Sequence, residues 1–439
     1  MKHQEEEPSV KMTKFSGWRN VLFWAVISAA FIGPGTVATA ASAGSSYQLS
    51  LMWALIFSVF GCVVLQEAAS RITIVSGLSL GKAIGVLSGR TGWLRYLVGF
   101  SVVFGCAAYQ AGNILGAVAG GSLVSSIPPW VLTLIVGGLA AILLVGNSSN
   151  KVSYYLGFVV ALMGISFMVV AIQAPSLSEG PEEGWLSLFY PSIPEGSELL
   201  ILGLIGTTIV PYNLFLGSGI SSGQTVSHMR QGLIPAIVLG GLFSSAVIVC
   251  GTLIQAPLTF DKLFNTLQET FGNGASWLFA IGLFSAGFTS SVTAPLAAGL
   301  TVQMSVPDKY AGKKAYTIGW VVVWVTGTIF GLLQLKPVPV ILLAQALNGM
   351  VLPIITFCIA LAVNHKGIVS PAYKNGFVLN LLLIIILSIS SFLGFRNLLR
   401  ALEAGFGFSS APYTYIILGV ASAIVLLGFF YRLWQLHRK

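Results

Sequence analysis

Apolar runs of about twenty residues recur along almost the whole chain, and a helix of that length is what it takes to cross the hydrocarbon core of a bilayer. Twelve segments qualify, at roughly 20–44, 48–72, 93–123, 129–147, 152–174, 197–222, 231–257, 274–304, 315–335, 337–363, 374–395 and 411–433. Lipid offers no partner to a free N–H or C=O, so each run is predicted as a helix. The fold class that follows is an all-α polytopic membrane protein. Only Lys336-Pro337 parts the ninth run from the tenth. Charged residues make up 8% of the chain, against about 25% in a soluble domain. The net charge of +9 does not point to nucleic acid, because the basic residues sit in short connections between runs. Cys62, Cys106, Cys250 and Cys358 lie far apart in apolar surroundings and read as small buried hydrophobes. The acidic-then-basic lead, Glu5 to Arg19, carries no cleavage site after a short apolar core.

Loop charge sets the expected orientation. With the N-terminus inside, the inner connections hold Lys82, Arg90, Arg95, Lys151, Arg230, Lys309, Lys313, Lys314, Lys366 and Lys374, and the tail adds Arg432, Arg438 and Lys439. The longest outer connection is acidic, with Glu179, Glu182, Glu183, Glu195 and Glu198; Arg396 and Arg400 are the basic exceptions outside. Both termini are expected in the cytoplasm and the chain in the cell membrane. Tyr154, Tyr155, Trp130 and Trp185 suit an interfacial belt.

Two of the runs are interrupted. Gly33-Pro34-Gly35-Thr36 breaks the first, and Thr207-Thr208-Ile209-Val210-Pro211-Tyr212-Asn213 breaks the sixth. Proline lacks a donor and its ring clashes with the preceding turn, while glycine adds backbone freedom. At membrane depth such a break is tolerated where protein or a polar cavity takes up the freed groups. Paired breaks in corresponding places point to a transporter site near the midplane. Their spacing predicts two inverted halves of five segments, 20–174 and 197–363, flanked by a tail at 1–19, an outer loop at 175–196, and two further segments with a cytoplasmic tail at 364–439.

These residues carry a family resemblance. Gly33 to Thr36, followed by Ala40 to Gly44, is similar to the first helix of NRAMP divalent-metal transporters, whose motif reads Asp-Pro-Gly-Asn. Val210-Pro211-Tyr212-Asn213-Leu214-Phe215-Leu216 resembles that family's Met-Pro-His-Asn-Leu-Tyr-Leu. Gln66 to Gly77, Ser285 to Gly299 and Gln345 to Pro353 resemble its second, eighth and tenth helices. The resemblance implies a leucine-transporter-like fold with discontinuous helices 1 and 6, a 5+5 inverted repeat and alternating access. It implies a transporter and no enzyme, and the chain has neither a phosphate-cradling loop nor a His/Glu metalloprotease motif.

The departures bear on the cargo. The family's metal-binding Asp, Asn and Met become Gly33, Thr36 and Val210; its third-helix acids become Gln110 and Asn113; its two sixth-helix histidines become Tyr212 and Gly217. The candidate substrate-binding residues are therefore Gly33, Gly35, Thr36, Thr208, Val210, Tyr212, Asn213, Gln345 and Asn348. None is charged, and hard or soft cations alike prefer anionic or strongly donating ligands. Half-helices restarting after a break offer free N–H groups and a positive dipole end. The leading expectation is thus a small anion such as bicarbonate, or an uncharged solute. The alternative is a divalent cation, Mg²⁺ or Mn²⁺, in a weak site that leaves its water in place. No resident metal or cofactor is expected. Moving an anion into a negative cell needs a driving force, and in relatives of this fold first-helix carbonyls and eighth-helix hydroxyls bind sodium. Thr289, Ser290, Ser291 and Thr293 occupy the matching segment, so Na⁺ is the expected coupling ion. The competing reading has these hydroxyls bonding back to their own helix. Gln110 and Asn113 are expected to form hydrogen-bond pairs with neighbouring helices, and Glu67 to be a structural partner of Arg71 four residues on.

Overall fold

A computed structural model describes residues 20, 21, 23, 24, 32–146, 149–174, 188–307, 309–406 and 414–438. The tail before residue 20, the acidic stretch 178–183 and Trp185 lie outside these, as do the side chains of Lys151, Tyr154, Tyr155, Arg432 and Arg438. The helices are α1 (Pro34–Tyr47), α2 (Met52–Ser76), α3 (Leu80–Val86), α4 (Trp93–Val124), α5 (Pro129–Gly146), α6 (Ser149–Ile172), α7 (Glu198–Thr208), α8 (Pro211–Ile220), α9 (Val226–Gly251), α10 (Phe260–Phe271), α11 (Asn273–Ser305), α12 (Lys313–Leu332), α13 (Pro337–Asn364), α14 (Phe377–Phe406) and α15 (Thr414–Arg438). Among the described residues, nine helices are long and apolar enough to span a bilayer, with α7 and α8 counted together. Gly157–Ile172 and Ile416–Tyr431 are shorter apolar helical stretches. Of the twelve expected segments, the remaining three are thus the first, fifth and twelfth, each only partly described.

Both expected breaks are present. Gly33 is extended and Pro34 opens α1. In the sixth segment α7 ends at Thr208, Ile209 and Val210 leave helical geometry, and Pro211 restarts the chain as α8. Pro211 has no N–H to return to Thr207, which is why the ladder cannot continue. Elsewhere α2 begins and ends about four residues later than its apolar run suggests, and α3 and α10 form where the sequence reading left connections. α10 is amphipathic and short, with Thr259 accepting the Lys262 N–H at its start.

Buried charge concentrates at the two ends of the bundle. Glu67 on α2 accepts from Arg71 at 3.1 Å, and from Arg230 on α9 at 2.7 and 2.9 Å. Arg71 also donates to the Tyr373 carbonyl and to Asn375 Oδ1 in the connection before α14. The expected Glu67–Arg71 pair is therefore part of a larger junction of α2, α9 and that connection. Glu198, at the start of α7, pairs with Arg396 on α14. Arg396, a basic exception outside in the charge pattern, thus meets an acid from the long outer connection. His365 is half-buried and accepts the Gly367 N–H at Nδ1, 3.0 Å away. Burial and nearby Lys374 hold its pKa below the usual histidine value.

Candidate functional site

α13 packs against α1, α4 and α7, and touches α8, so five helices meet where the two breaks lie. The breaks are joined directly: the hydroxyls of Thr36, in the first turn of α1, and Thr207, in the last turn of α7, share a hydrogen bond of 2.9 Å. Gly35 lies against the Gln345 side chain, and a Cβ there would collide with its amide. Gly206 lies against the Gln345 carbonyl and the Gly349 N–H of α13, and a Cβ would strike that backbone. Gly206→Ala is expected to cost about 1–3 kcal/mol, the range for overpacking a closed contact. Thermal unfolding of the purified variant checks this, and an unchanged melting temperature would mean that α7 and α13 are looser than described.

The polar atoms at this junction are only partly satisfied. Thr208 Oγ1, both side-chain atoms of Asn213, Gln345 Oε1 and Asn348 Oδ1 are buried without a hydrogen-bond partner. Asn348 Nδ2 donates to the Ala344 carbonyl at 3.0 Å, and its free oxygen lies against Gly105 of α4. Buried polar atoms are paired in the great majority of cases, and a cluster of unpaired ones in a transmembrane site suits a polar cargo. Val210 and Tyr212 are buried here as well. The Tyr212 ring stands edge-on to that of Tyr109 on α4, with centroids 5.6 Å apart. Tyr109 was missed from sequence alone, because it falls among apolar and small residues with no motif position of its own.

Ser290, on α11, reaches the first break: a Cβ on Gly33 would sit 3.4 Å from its hydroxyl, an ordinary contact. Among the described residues, Ser290 Oγ makes no hydrogen bond. Thr289, Ser291 and Thr293 instead donate to carbonyls of their own helix, at 2.7 to 3.1 Å. Of the four candidate coupling residues, one hydroxyl is brought to the break without a competing bond. Gln110 donates to the Ser291 carbonyl of α11 at 2.9 Å, an interhelical link of the kind expected, whereas Asn113 Nδ2 donates within α4 to Gln110 Oε1 at 3.5 Å. Gly217, lacking a side chain, leaves room for the Gln66 amide from α2; a Cβ there would collide with it. Among the described residues, no group of three or more His, Cys, Asp or Glu side chains is placed to hold a metal ion.

A family model described as natural resistance-associated macrophage protein-like, or Nramp, matches residues 24–400. The chain belongs to the Nramp family. Its relatives include "Metal transporter Nramp3" of Oryza sativa subsp. japonica, 24% identical over 66% of this chain and 57% of that protein. They also include "Divalent metal cation transporter MntH" of Acidiphilium cryptum, 24% identical over 77% of this chain and 82% of the relative. A manganese transporter of Eremococcus coleocola shares the fold with a TM-score of 0.64 at 18% identity, covering 97% of this chain and 96% of that one. Mhp1, a nucleobase-cation-symport-1 transporter, shares it with a TM-score of 0.57 at 13% identity, over 95% of this chain and 92% of the other. The Nramp chain described here is accordingly a multi-pass membrane transporter with a leucine-transporter-like fold, and not an enzyme.

Proposed function

We propose that this Nramp chain carries a divalent cation of the Mg²⁺ or Mn²⁺ class by alternating access, and that the ion keeps much of its water while bound. The observation that carries this reading is the unpartnered oxygens of Gln345, Asn348, Asn213 and Thr208 around the joined breaks. Their chemistry suits contact with a cation's inner or outer water. The names of the curated relatives, metal and divalent metal cation transporters, lean the same way. Positions 33, 36 and 210 hold glycine, threonine and valine, so neither carboxylate nor thioether meets the ion there. Neutral oxygens compete poorly with hydration for a bare divalent ion, whereas Mg²⁺ commonly stays largely hydrated when bound. Purified protein in liposomes with an internal divalent-sensitive dye is expected to take up Mg²⁺ or Mn²⁺. Half-saturation is expected at about 0.1–1 mM, the range of weak oxygen sites. No uptake of either ion above empty liposomes would overturn the reading.

A second reading, a small anion such as bicarbonate or an uncharged solute, draws on a different observation. α1 and α8 both start at the breaks with no side-chain cap and no acidic residue in the first turn. Their N–H groups and positive dipole ends are therefore unopposed by a fixed negative charge. Labelled bicarbonate uptake that needs Na⁺, and stops in choline, is the result this reading expects; Ser290 is then the hydroxyl best placed to serve the sodium. The loop charges favour both termini in the cytoplasm of a plasma-membrane protein.

A further inference from the structure

We infer that Tyr109 sets how strongly the site holds a cation, by capping the carbonyls that the second break frees. This rests on the divalent-cation reading above. Thr207 would return its carbonyl to position 211, but Pro211 has no N–H. Gly206 would return its carbonyl to Val210, which stands in extended geometry outside the helix. Both carbonyls thus lose their helical donor at the point where α7 stops. The Tyr109 hydroxyl, reaching across from α4, lies 3.4 Å from each, and 3.5 Å from Thr207 Oγ1. The ring is 4% exposed and held edge-on by Tyr212, so the hydroxyl has little freedom to turn elsewhere.

One phenolic proton serves three acceptors here, each at a distance that is long for an O–H···O bond. Such a cap is weak and can be displaced. It nevertheless places a donor in front of the two backbone carbonyls best suited to replace a cation's water. A dehydrated ion has to displace that donor to use them, whereas an ion that keeps its water does not need them. Tyr109 in this way tilts a neutral site toward loose, hydrated binding. The side chain acts through the backbone of Gly206 and Thr207, so it is a positioning residue and not itself a ligand. For an anion the sign reverses, because the same hydroxyl is then a useful donor.

The test is isothermal titration of the full-chain protein with Mn²⁺ and with Mg²⁺, comparing the natural residue with Tyr109→Phe. Phenylalanine keeps the ring against Tyr212 and removes only the hydroxyl. Loss of one weak competing hydrogen bond is expected to lower the Kd for Mn²⁺ by about three- to fivefold, with a smaller gain for the more tightly hydrated Mg²⁺ and little change in melting temperature. A purely structural tyrosine would lower the melting temperature without tightening binding. Unchanged or weaker Mn²⁺ binding by the variant, beside measurable binding by the unsubstituted protein, overturns the role of Tyr109 and leaves the divalent reading standing. Silence from both proteins toward both ions overturns the two together.

Discussion

Replacing Glu67 with alanine is expected to destabilise the protein by about 3–5 kcal/mol, the cost of leaving a buried charge without its partner. The Arg71 side chain is 2% exposed and Arg230 is 45% exposed, so the two arginines respond differently. Arg230 can turn its guanidinium to water. Arg71 keeps the Tyr373 carbonyl and Asn375 but loses the carboxylate that pairs with it. Glu67→Gln keeps an acceptor and is expected to cost less. The double variant Glu67→Leu with Arg71→Leu removes both charges and is expected to recover part of the loss, because replacing a whole buried pair is far milder than breaking it. Thermal unfolding in a fixed detergent reads all three. A Glu67→Ala protein within about 0.5 kcal/mol of the original, the range of ordinary surface substitutions, would show that water reaches Arg71 and that the junction is not closed.

That junction shows how the sequence was legible in some respects and opaque in others. The Glu67–Arg71 pair is readable because i and i+4 share a helix face. Arg230 and the 373–375 connection are not, since only packing of α2 beside α9 brings them within reach. The same division runs through the site. Pro34 and Pro211 announce the breaks by chemistry alone, a missing N–H that no tertiary contact restores. The bond between Thr36 and Thr207, 171 positions apart, could be guessed only by assuming that the two breaks face each other. The hydroxyls of α11 were ambiguous from sequence because a serine or threonine in a helix can bond inward to its own backbone or outward. Thr289, Ser291 and Thr293 take the first course, while Ser290, which bonds to none of the described residues, lies beside Gly33. Tyr109 carried no signal at all, because its importance comes from two carbonyls on another helix. The α10 helix is opaque for another reason: at twelve residues it is too short to span a bilayer, and the Thr259 cap signals only its start.

Gly33→Asp is expected to tighten Mn²⁺ binding by about a hundredfold and to abolish any anion uptake. Backbone geometry permits the change, since Gly33 has φ −124° and ψ −175°, extended values open to any residue. Space permits it as well, because the nearest group to a Cβ is the Ser290 hydroxyl at 3.4 Å, which can hydrogen-bond to a carboxylate. Two opposite unit charges 4 Å apart gain about 4 kcal/mol at an effective dielectric constant near 20, and a divalent ion gains more. Desolvation of the new carboxylate takes back a share, and a net gain of about 2.8 kcal/mol corresponds to the hundredfold. The same charge sits at the start of α1 and cancels the positive end on which an anion would rely. Tight binding is also expected to slow turnover, because tighter complexes form mainly through slower release. Titration with Mn²⁺ and liposome flux of Mn²⁺ and labelled bicarbonate read the three effects separately. Unchanged Mn²⁺ affinity in a folded Gly33→Asp protein would place the cargo away from the first break, and bicarbonate uptake surviving the substitution would remove the dipole explanation for an anion site.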